Sequence, residues 1–410
     1  MLQPVAVANK SLSDYASIVG RPLVDEIRER AERLKSKRVL HLSATAFGGG
    51  VSEILSTLVP LMIDVGLECE WQVIYGREEF FNATKIMHNS LQGNPQGLSE
   101  EQWHTWRRYN EINAGQLSDG WDVCIVHDPQ PAAVCSMVEE KARKWVWRCH
   151  IDLSTPNPLT LERLLPCLDP YLAAVFHLQQ YVPSGMDGRA HIVPPAIDPL
   201  APKNMAFSPE DAVYICEQFG IDVDRPLLCQ VSRFDPWKDP LGVIDAYRIV
   251  KEQLPDVQLA LVGSMATDDP EGWDYFNATV AHADGDPDIH ILNNLNNVGA
   301  IEVNAFQSHS DVVIQKSTRE GFGLTVTEAI WKGRPFIGGD VGGIPLQITD
   351  GETGFLVSTV EQCATRALEI LRDPGLGKYL GRKGKESVRR RFLMPRLLRD
   401  WLELFERLGV

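Results

Sequence analysis

Two glutamates, Glu320 and Glu328, stand with seven residues between them in the stretch REGFGLTVTEA, Arg319 to Ala329. Gly321 and Gly323 flank Phe322, and the run from Leu324 through Thr325 predicts the start of a helix. Glycines leave backbone N–H groups open, and a helix N-terminus favours an anion, so the turn can cradle a phosphate. A carboxylate accepts hydrogen bonds from both hydroxyls of a vicinal diol. One glutamate can then hold a ribose and the other a hexose, with a diphosphate between them. The ordinary alternative is a helix with one terminal and one surface glutamate. The joint pattern argues against it.

Other loops add chemistry of the same kind. In VSRFDPWKD, Arg233 and Lys238 lie five residues apart on a proline-stiffened loop. Two fixed cations on an acidic chain point to an anion such as a diphosphate rather than to solvated surface charge. In SATAFGGGVSEIL, the run Gly48, Gly49, Gly50 precedes an apolar-periodic helix, which suits close approach of a ligand and equally suits a plain tight turn. In VHDPQP, His127 and Asp128 at a strand's carboxyl end suit hydroxyl recognition, and capping of the next helix explains Asp128 as well. In WRCHIDLSTPN, Arg148, His150 and Asp152 gather where an apolar strand ends, which favours function over structure. The glycine turn DVGGIPLQI, residues 340–348, could face a sugar or simply connect strand to helix.

These loops need a scaffold that ends strands side by side. Short apolar strands alternate with amphipathic helical stretches throughout the 410 residues. The predicted strands are 38–44, 69–75, 121–127, 144–150, 173–178 and 191–195, then 226–232, 257–263, 288–293, 311–316, 334–339 and 354–358. Near-continuous apolar strands separated by helices predict parallel sheets covered on both faces. The fold class is therefore α/β, with two doubly wound, Rossmann-like domains, and ligands are expected beyond the carboxyl ends of the strands. The proline-rich stretch 194–211 marks the boundary. The last helix carries an apolar stripe, Leu397, Leu398, Trp401, Leu402, Leu404, Phe405 and Leu408, which must cover something.

Composition narrows the class. A net charge of −15 repels nucleic acid and anionic membranes on average. The eight cysteines form no CxxC pair and read as reduced, buried thiols rather than metal ligands. No apolar run approaches the ~18 residues of a membrane helix. The opening residues lack a basic start followed by an apolar segment. A cytoplasmic location is expected.

The paired Rossmann-like halves, the glycine loop, the Arg233/Lys238 pair and the E-x7-E motif together resemble the retaining GT-B glycosyltransferases of the glycogen-synthase-like group, family 4. A narrower likeness, to the glycosyltransferring trehalose synthases, rests on residues 77–94, VHDPQPAAV, WRCHIDLSTPN, VSRFDPWK and DDPEGW at 268–273. The resemblance implies an N-terminal acceptor domain, 1–205, completed by residues 390–410, and a donor domain, 206–389, facing a central cleft that closes on its substrates. It implies a reversible retaining transfer of glucose from a nucleoside-diphosphate glucose (ADP, UDP or GDP) to free glucose, giving trehalose. Arg233 and Lys238 would stabilise the leaving diphosphate. Glu328 would hold the ribose, while Glu320 and residues Gly321, Phe322, Gly323, Leu324 and Thr325 would hold the glucose and phosphate. Gly49 and Gly50 would line the donor side. His150 and Asp128 would contact the transferred or acceptor glucose, with Asn82, Lys85, His88 and Asn89 as further hydroxyl ligands. The base would meet backbone near 292–297. No cofactor is required, Mg2+ being at most a stimulant, and the partners are small sugars in a homodimer. The alternatives are a trehalose phosphorylase-type enzyme, a family 4 transferase with another acceptor, a nucleotide-sugar epimerase and a silent sensor.

Overall fold

The computed structural model describes residues 2–265 and 270–410, so Asp268 and Asp269 of the DDPEGW motif lie outside the described residues. The chain forms two compact units, Met1–Ala196 with Met394–Val410, and Ile197–Leu393.

The first unit is built on a seven-stranded sheet: β1 (Gln3–Pro4), β2 (Arg38–Ser43), β3 (Glu68–Val73), β4 (Trp121–His127), β5 (Ala142–Arg148), β6 (Ala173–Phe176) and β7 (Ala190–Ile192), in the order β1-β3-β2-β4-β5-β6-β7. Every pairing is parallel except β1 with β3. The two-residue β1 was not expected from sequence. Its proline has no N–H to give a ladder, which an edge strand tolerates, and Val5 N then donates to Trp71 O at 2.8 Å. The chain runs from β2 to β3 on one side and returns to β4 on the other. The loops after β2 and β4 therefore diverge and leave a crevice.

The second unit repeats the logic with β8 (Leu227–Val231), β9 (Gln258–Gly263), β10 (Ile289–Asn293), β11 (Val312–Gln315), β12 (Phe336–Gly339) and β13 (Phe355–Val357). The order β10-β9-β8-β11-β12-β13 is wholly parallel. It is the Rossmann order, with its crevice between β8 and β11. All twelve predicted strands are present; the central ones are buried on both faces and read as short apolar runs, while β3, β7 and β10 are partly exposed.

The helix Met394–Leu408 buries Leu397, Leu398, Trp401, Leu402, Leu404 and Phe405. It packs on the helices Arg21–Arg33 and Gly50–Asp64 of the first unit. Its Glu406 bridges Arg30 and Arg33, each at 2.7 Å. The two ion pairs are partly exposed and add little beside the apolar burial.

Candidate functional site

In the second unit the loop after β8 is shaped by Asp235. Its Oδ1 accepts from Trp237 N at 2.9 Å and Lys238 N at 3.1 Å, winding Pro236–Lys238 into a short turn. Asp239 closes that turn at φ 49° and caps the helix Pro240–Lys251 through Gly242 N. A Cβ on Gly242 would sit 2.3 Å from the Asp239 carboxylate, so only glycine fits. Asp239 also pairs with Lys316 at the end of β11. Thr318 N donates to Trp237 O at 2.8 Å. The loops after β8 and β11 are thus fastened to each other across the crevice.

Across that crevice Lys238 Nζ reaches Glu320 Oε2 at 2.6 Å, with both side chains largely buried. Ser317 Oγ faces the same carboxylate oxygen at 3.4 Å. The chain then turns at Gly323, φ 79°, and enters the helix Leu324–Trp331. No side chain caps this helix, so its first N–H groups point outward from a positive dipole end. The helix is held by Val326, Thr327, Ala329 and Ile330, all buried. Truncating Ile330 to alanine would cost about 2–5 kcal/mol. Gln347 braces the turn, its Nε2 donating to Phe322 O at 2.5 Å while its Oε1 accepts from Thr327 Oγ1 at 2.5 Å. The glycine turn after β12 packs against the same loop. A Cβ on Gly343 would lie 2.6 Å from Gly321 O, and one on Gly339 would lie 2.2 Å from Ser317 O.

The structure brings Lys238, Glu320 and the Gly321–Thr325 turn together. It places two other candidates differently. Arg233 is 66% exposed and pairs with Asp235 of its own loop at 3.2 Å. Glu328 is 1% exposed, with Oε1 3.2 Å from Lys203 Nζ. Any diol it binds must share or displace that ammonium. Lys203 was not foreseen, since it lies 125 residues away in sequence from Glu328.

In the first unit Gly48 (φ 70°) and Gly49 (φ 86°) take conformations open to glycine, and a Cβ on either would meet nothing within 4 Å. Backbone conformation, not crowding, demands them. Gly49 precedes the helix Gly50–Asp64, which also has no side-chain cap. The 77–94 stretch is mostly the helix Glu78–Leu91. Asn82, Lys85 and Asn89 share one face at i, i+3 and i+7. His88 Nδ1 lies 3.0 Å from Gln92 Nε2.

Asp128 and His150 meet at the carboxyl ends of β4 and β5. Asp128 adopts φ 65°, and its Oδ1 accepts from His150 N at 2.7 Å. Burial raises this carboxyl to about 7, against the opposing pull of the His150 N–H and of Arg148. Arg148 runs inward to Phe176 O at 3.3 Å and stays cationic, although burial lowers it to about 9. Asp152 accepts from Ser154 N at 2.8 Å and so shapes its own turn.

Behind His150 lies a row of imidazoles. His41 Nδ1 is 2.9 Å from His127 Nε2, and His127 Nδ1 is 2.9 Å from His150 Nε2. The rings stack at 5.2 Å in both pairs. Burial holds all three neutral, His41 at about 3 and the others well below their usual range. Each contact then carries one proton, so the three tautomers are locked together. His41 Nε2 is buried without a hydrogen-bond partner among the described residues. Stranding a lone pair there costs less than stranding an N–H. The row therefore runs as donor from His41 to His127 to His150, and His150 presents Nδ1–H. Sequence pointed to His127 and His150 as polar groups at strand ends, and neither to His41 nor to the row. The signal for the row was a histidine at or near the end of successive strands, in LHLS, IVHD and RCHI.

Residues 41–183 match the family described as "Trehalose synthase, N-terminal domain", and residues 215–387 match "Glycosyl transferases group 1". A trehalose synthase of Rubrobacter xylanophilus is 56% identical over 100% of this chain and 99% of its own length. One from Pyrococcus horikoshii is 48% identical over 98% and 97%. A solved α,α-trehalose-phosphate synthase from Burkholderia xenovorans shares the fold, with TM-score 0.73 over 90% of this chain and 99% of that one at 14% identity. The chain is a GT-B glycosyltransferase and belongs to the trehalose synthase family.

Proposed function

We propose that this enzyme transfers glucose, with retention, from a nucleoside-diphosphate glucose to free glucose, forming trehalose reversibly. The observation that carries this reading is the Lys238–Glu320 pair set beside the uncapped start of the helix Leu324–Trp331. Lys238 and the open N–H groups neutralise charge as the diphosphate departs, in the manner of a fixed oxyanion site. Glu320 holds Lys238 in place and accepts from hexose hydroxyls. Arg233, exposed at the rim, swings from Asp235 to the diphosphate, and Glu328 takes the ribose diol in exchange for Lys203. Gly49 and Gly50 offer backbone to the donor. In the first unit, neutral His150 donates through Nδ1 and Asp128 exchanges a hydrogen bond with glucose hydroxyls. Lys85 and Asn89 take the outer hydroxyls of the acceptor. No side chain is assigned as a covalent nucleophile. Front-face attack fits, with the leaving phosphate oxygen accepting the acceptor's proton.

The test is to incubate the protein with glucose and ADP-, UDP- or GDP-glucose, and separately with glucose 1-phosphate. A non-reducing disaccharide with release of nucleoside diphosphate supports the reading. Turnover with glucose 1-phosphate alone would replace it by a phosphorylase.

A further inference from the structure

The donor loops use the carboxyl ends of β8 and β11. A second feature lies at the opposite edge of the same sheet, where β11 and β12 begin. A cavity of about 260 Å3 opens there, walled by Met205, Phe207 and Trp331 and by the cations Lys332, Arg334 and Lys385. No carboxylate lines it, on a chain whose net charge is −15. Arg334 directly precedes β12, and its guanidinium makes no hydrogen bond or ion pair with any described residue. Lys385 lies over the Trp331 ring at 5.1 Å and has no ion-pair partner among the described residues. Lys332 Nζ donates only to neutral oxygens, Lys203 O at 2.7 Å and Asn204 Oδ1 at 3.0 Å. The nearby carboxylates divide their charge with other partners. Glu328 pairs with Lys203, and Asp311 Oδ2 accepts from Leu227 N at 2.9 Å. Glu328 favours the charge of Lys332 and Asp311 that of Arg334, yet neither carboxylate lines the cavity, and an anion between the three cations would lower the remaining cost of holding them together.

We infer that this cavity is a binding site for a phosphate group, free or as a small phosphate monoester whose body rests on Met205, Phe207 and Trp331. A planar guanidinium beside two ammonium groups matches phosphate geometry. The apolar wall favours an ester over the bare ion. Burial lowers Lys332 to about 7, so a bound dianion would restore its charge.

The site is wired to the donor loops through one helix. Leu324–Trp331 begins at the glycine turn and ends in Trp331 and Lys332 at the cavity. Lys332 also holds the backbone of Lys203, the residue that occupies Glu328. An anion that draws the Lys203–Lys332 pair toward itself loosens Lys203 from Glu328 and readies that carboxylate for ribose. This coupling rests on the proposed function. The binding does not.

Thermal unfolding and isothermal titration calorimetry are run with inorganic phosphate and with glucose 6-phosphate, against sodium chloride at matched ionic strength. The expected result is a saturable rise in Tm of roughly 2–5 °C at a hundredfold excess over Kd. Arg334→Gln should weaken binding by roughly ten- to a hundredfold and leave basal transfer unchanged. Lys238→Met should bind as wild type does, which separates this site from the donor diphosphate site. Stronger binding of the ester assigns the apolar wall to its body, and equal binding assigns the site to the bare phosphate group. A response matched by chloride, or one abolished by Lys238→Met but not by Arg334→Gln, would overturn the assignment. Loss of transferase activity in the first assay would leave this binding result standing.

Discussion

Asp128→Asn isolates one charge in the first unit. The change keeps the side chain's shape and the Oδ1 that accepts from His150 N at 2.7 Å. Burial lifts the Asp128 carboxyl from 3.8 to about 7 in the folded chain. Between those values the native state holds a proton that the unfolded state has released. Stability therefore falls as pH rises through that window, and the penalty persists above pH 7. Three units at about 1.36 kcal/mol each give roughly 4 kcal/mol, an order-of-magnitude figure. Asparagine stays neutral at every pH, so the variant escapes the penalty. The buried histidines push the other way, since their depressed values favour the folded state as pH rises toward 6.5. Their contribution is common to both proteins and cancels in the difference. Urea denaturation at pH 5, 6, 7 and 8, followed by tryptophan fluorescence from the Trp121 and Trp147 core, measures that difference. The variant should gain on wild type by about 2–3 kcal/mol from pH 5 to 7 and hold level above it. A gap that stays constant within about 0.5 kcal/mol across the range refutes the raised carboxyl. The same titration turns Asp128 from a donor to an acceptor near neutrality, so the pH limb of kcat/KM near 7 should vanish in the variant.

Lys238→Met should lower kcat by about 10²–10³ with a smaller change in donor KM, read from initial rates of diphosphate release; a wild-type kcat removes Lys238 from the leaving-group role. Glu328→Gln should lower kcat/KM for the donor by roughly ten- to a hundredfold through KM; an unchanged donor KM would leave Glu328 as Lys203's structural partner only. His127→Phe keeps the ring stack and strands nitrogens on His41 and His150 at about 1–3 kcal/mol each in urea denaturation. Imidazole 15N shifts should show Nδ1–H at His150 in wild type, and an Nε2–H tautomer there contradicts the direction assigned to the row. Gly339→Ala drives a Cβ to 2.2 Å from Ser317 O and should cost about 1–3 kcal/mol while raising donor KM; a neutral effect on both would show that the Ser317 loop moves freely.

The parts of this enzyme that were legible in sequence share one physical property. Each is written in neighbouring residues. A strand buried on both faces is a run of apolar residues and a half-buried one such as β3 alternates, so the twelve parallel strands could be read, whereas β1 is two residues long with a proline and carries no pattern. The glycine turn before Leu324 announces itself because positive φ and an uncapped helix start need glycine at that point. Arg233 and Lys238 were visible for the same reason, as cations on one short loop. Relations set by strand order were not legible. His41, His127 and His150 become a row only because β2, β4 and β5 are adjacent, and Lys203 meets Glu328 only because two distant segments pack together.

That division explains why the candidate residues could be named from sequence while their ion pairs could not. In an open α/β sheet the ligand-facing loops are fixed by where strands end, so residue type and position nearly determine which groups can meet a ligand. Which of them is charged, and toward what, depends on partners recruited through the fold. Lys238 spends its charge on Glu320 and Glu328 spends its own on Lys203, so neither is poised alone. On the proposed function, a donor with a diphosphate and a diol would offer each pair the opposite exchange: phosphate for Glu320's hold on Lys238, and hydroxyls for Lys203's hold on Glu328. Buried ion pairs of this kind cost more to break by deleting one partner than by exchanging it. On the proposed function they would give up a partner only to a ligand that supplies both substitutes at once.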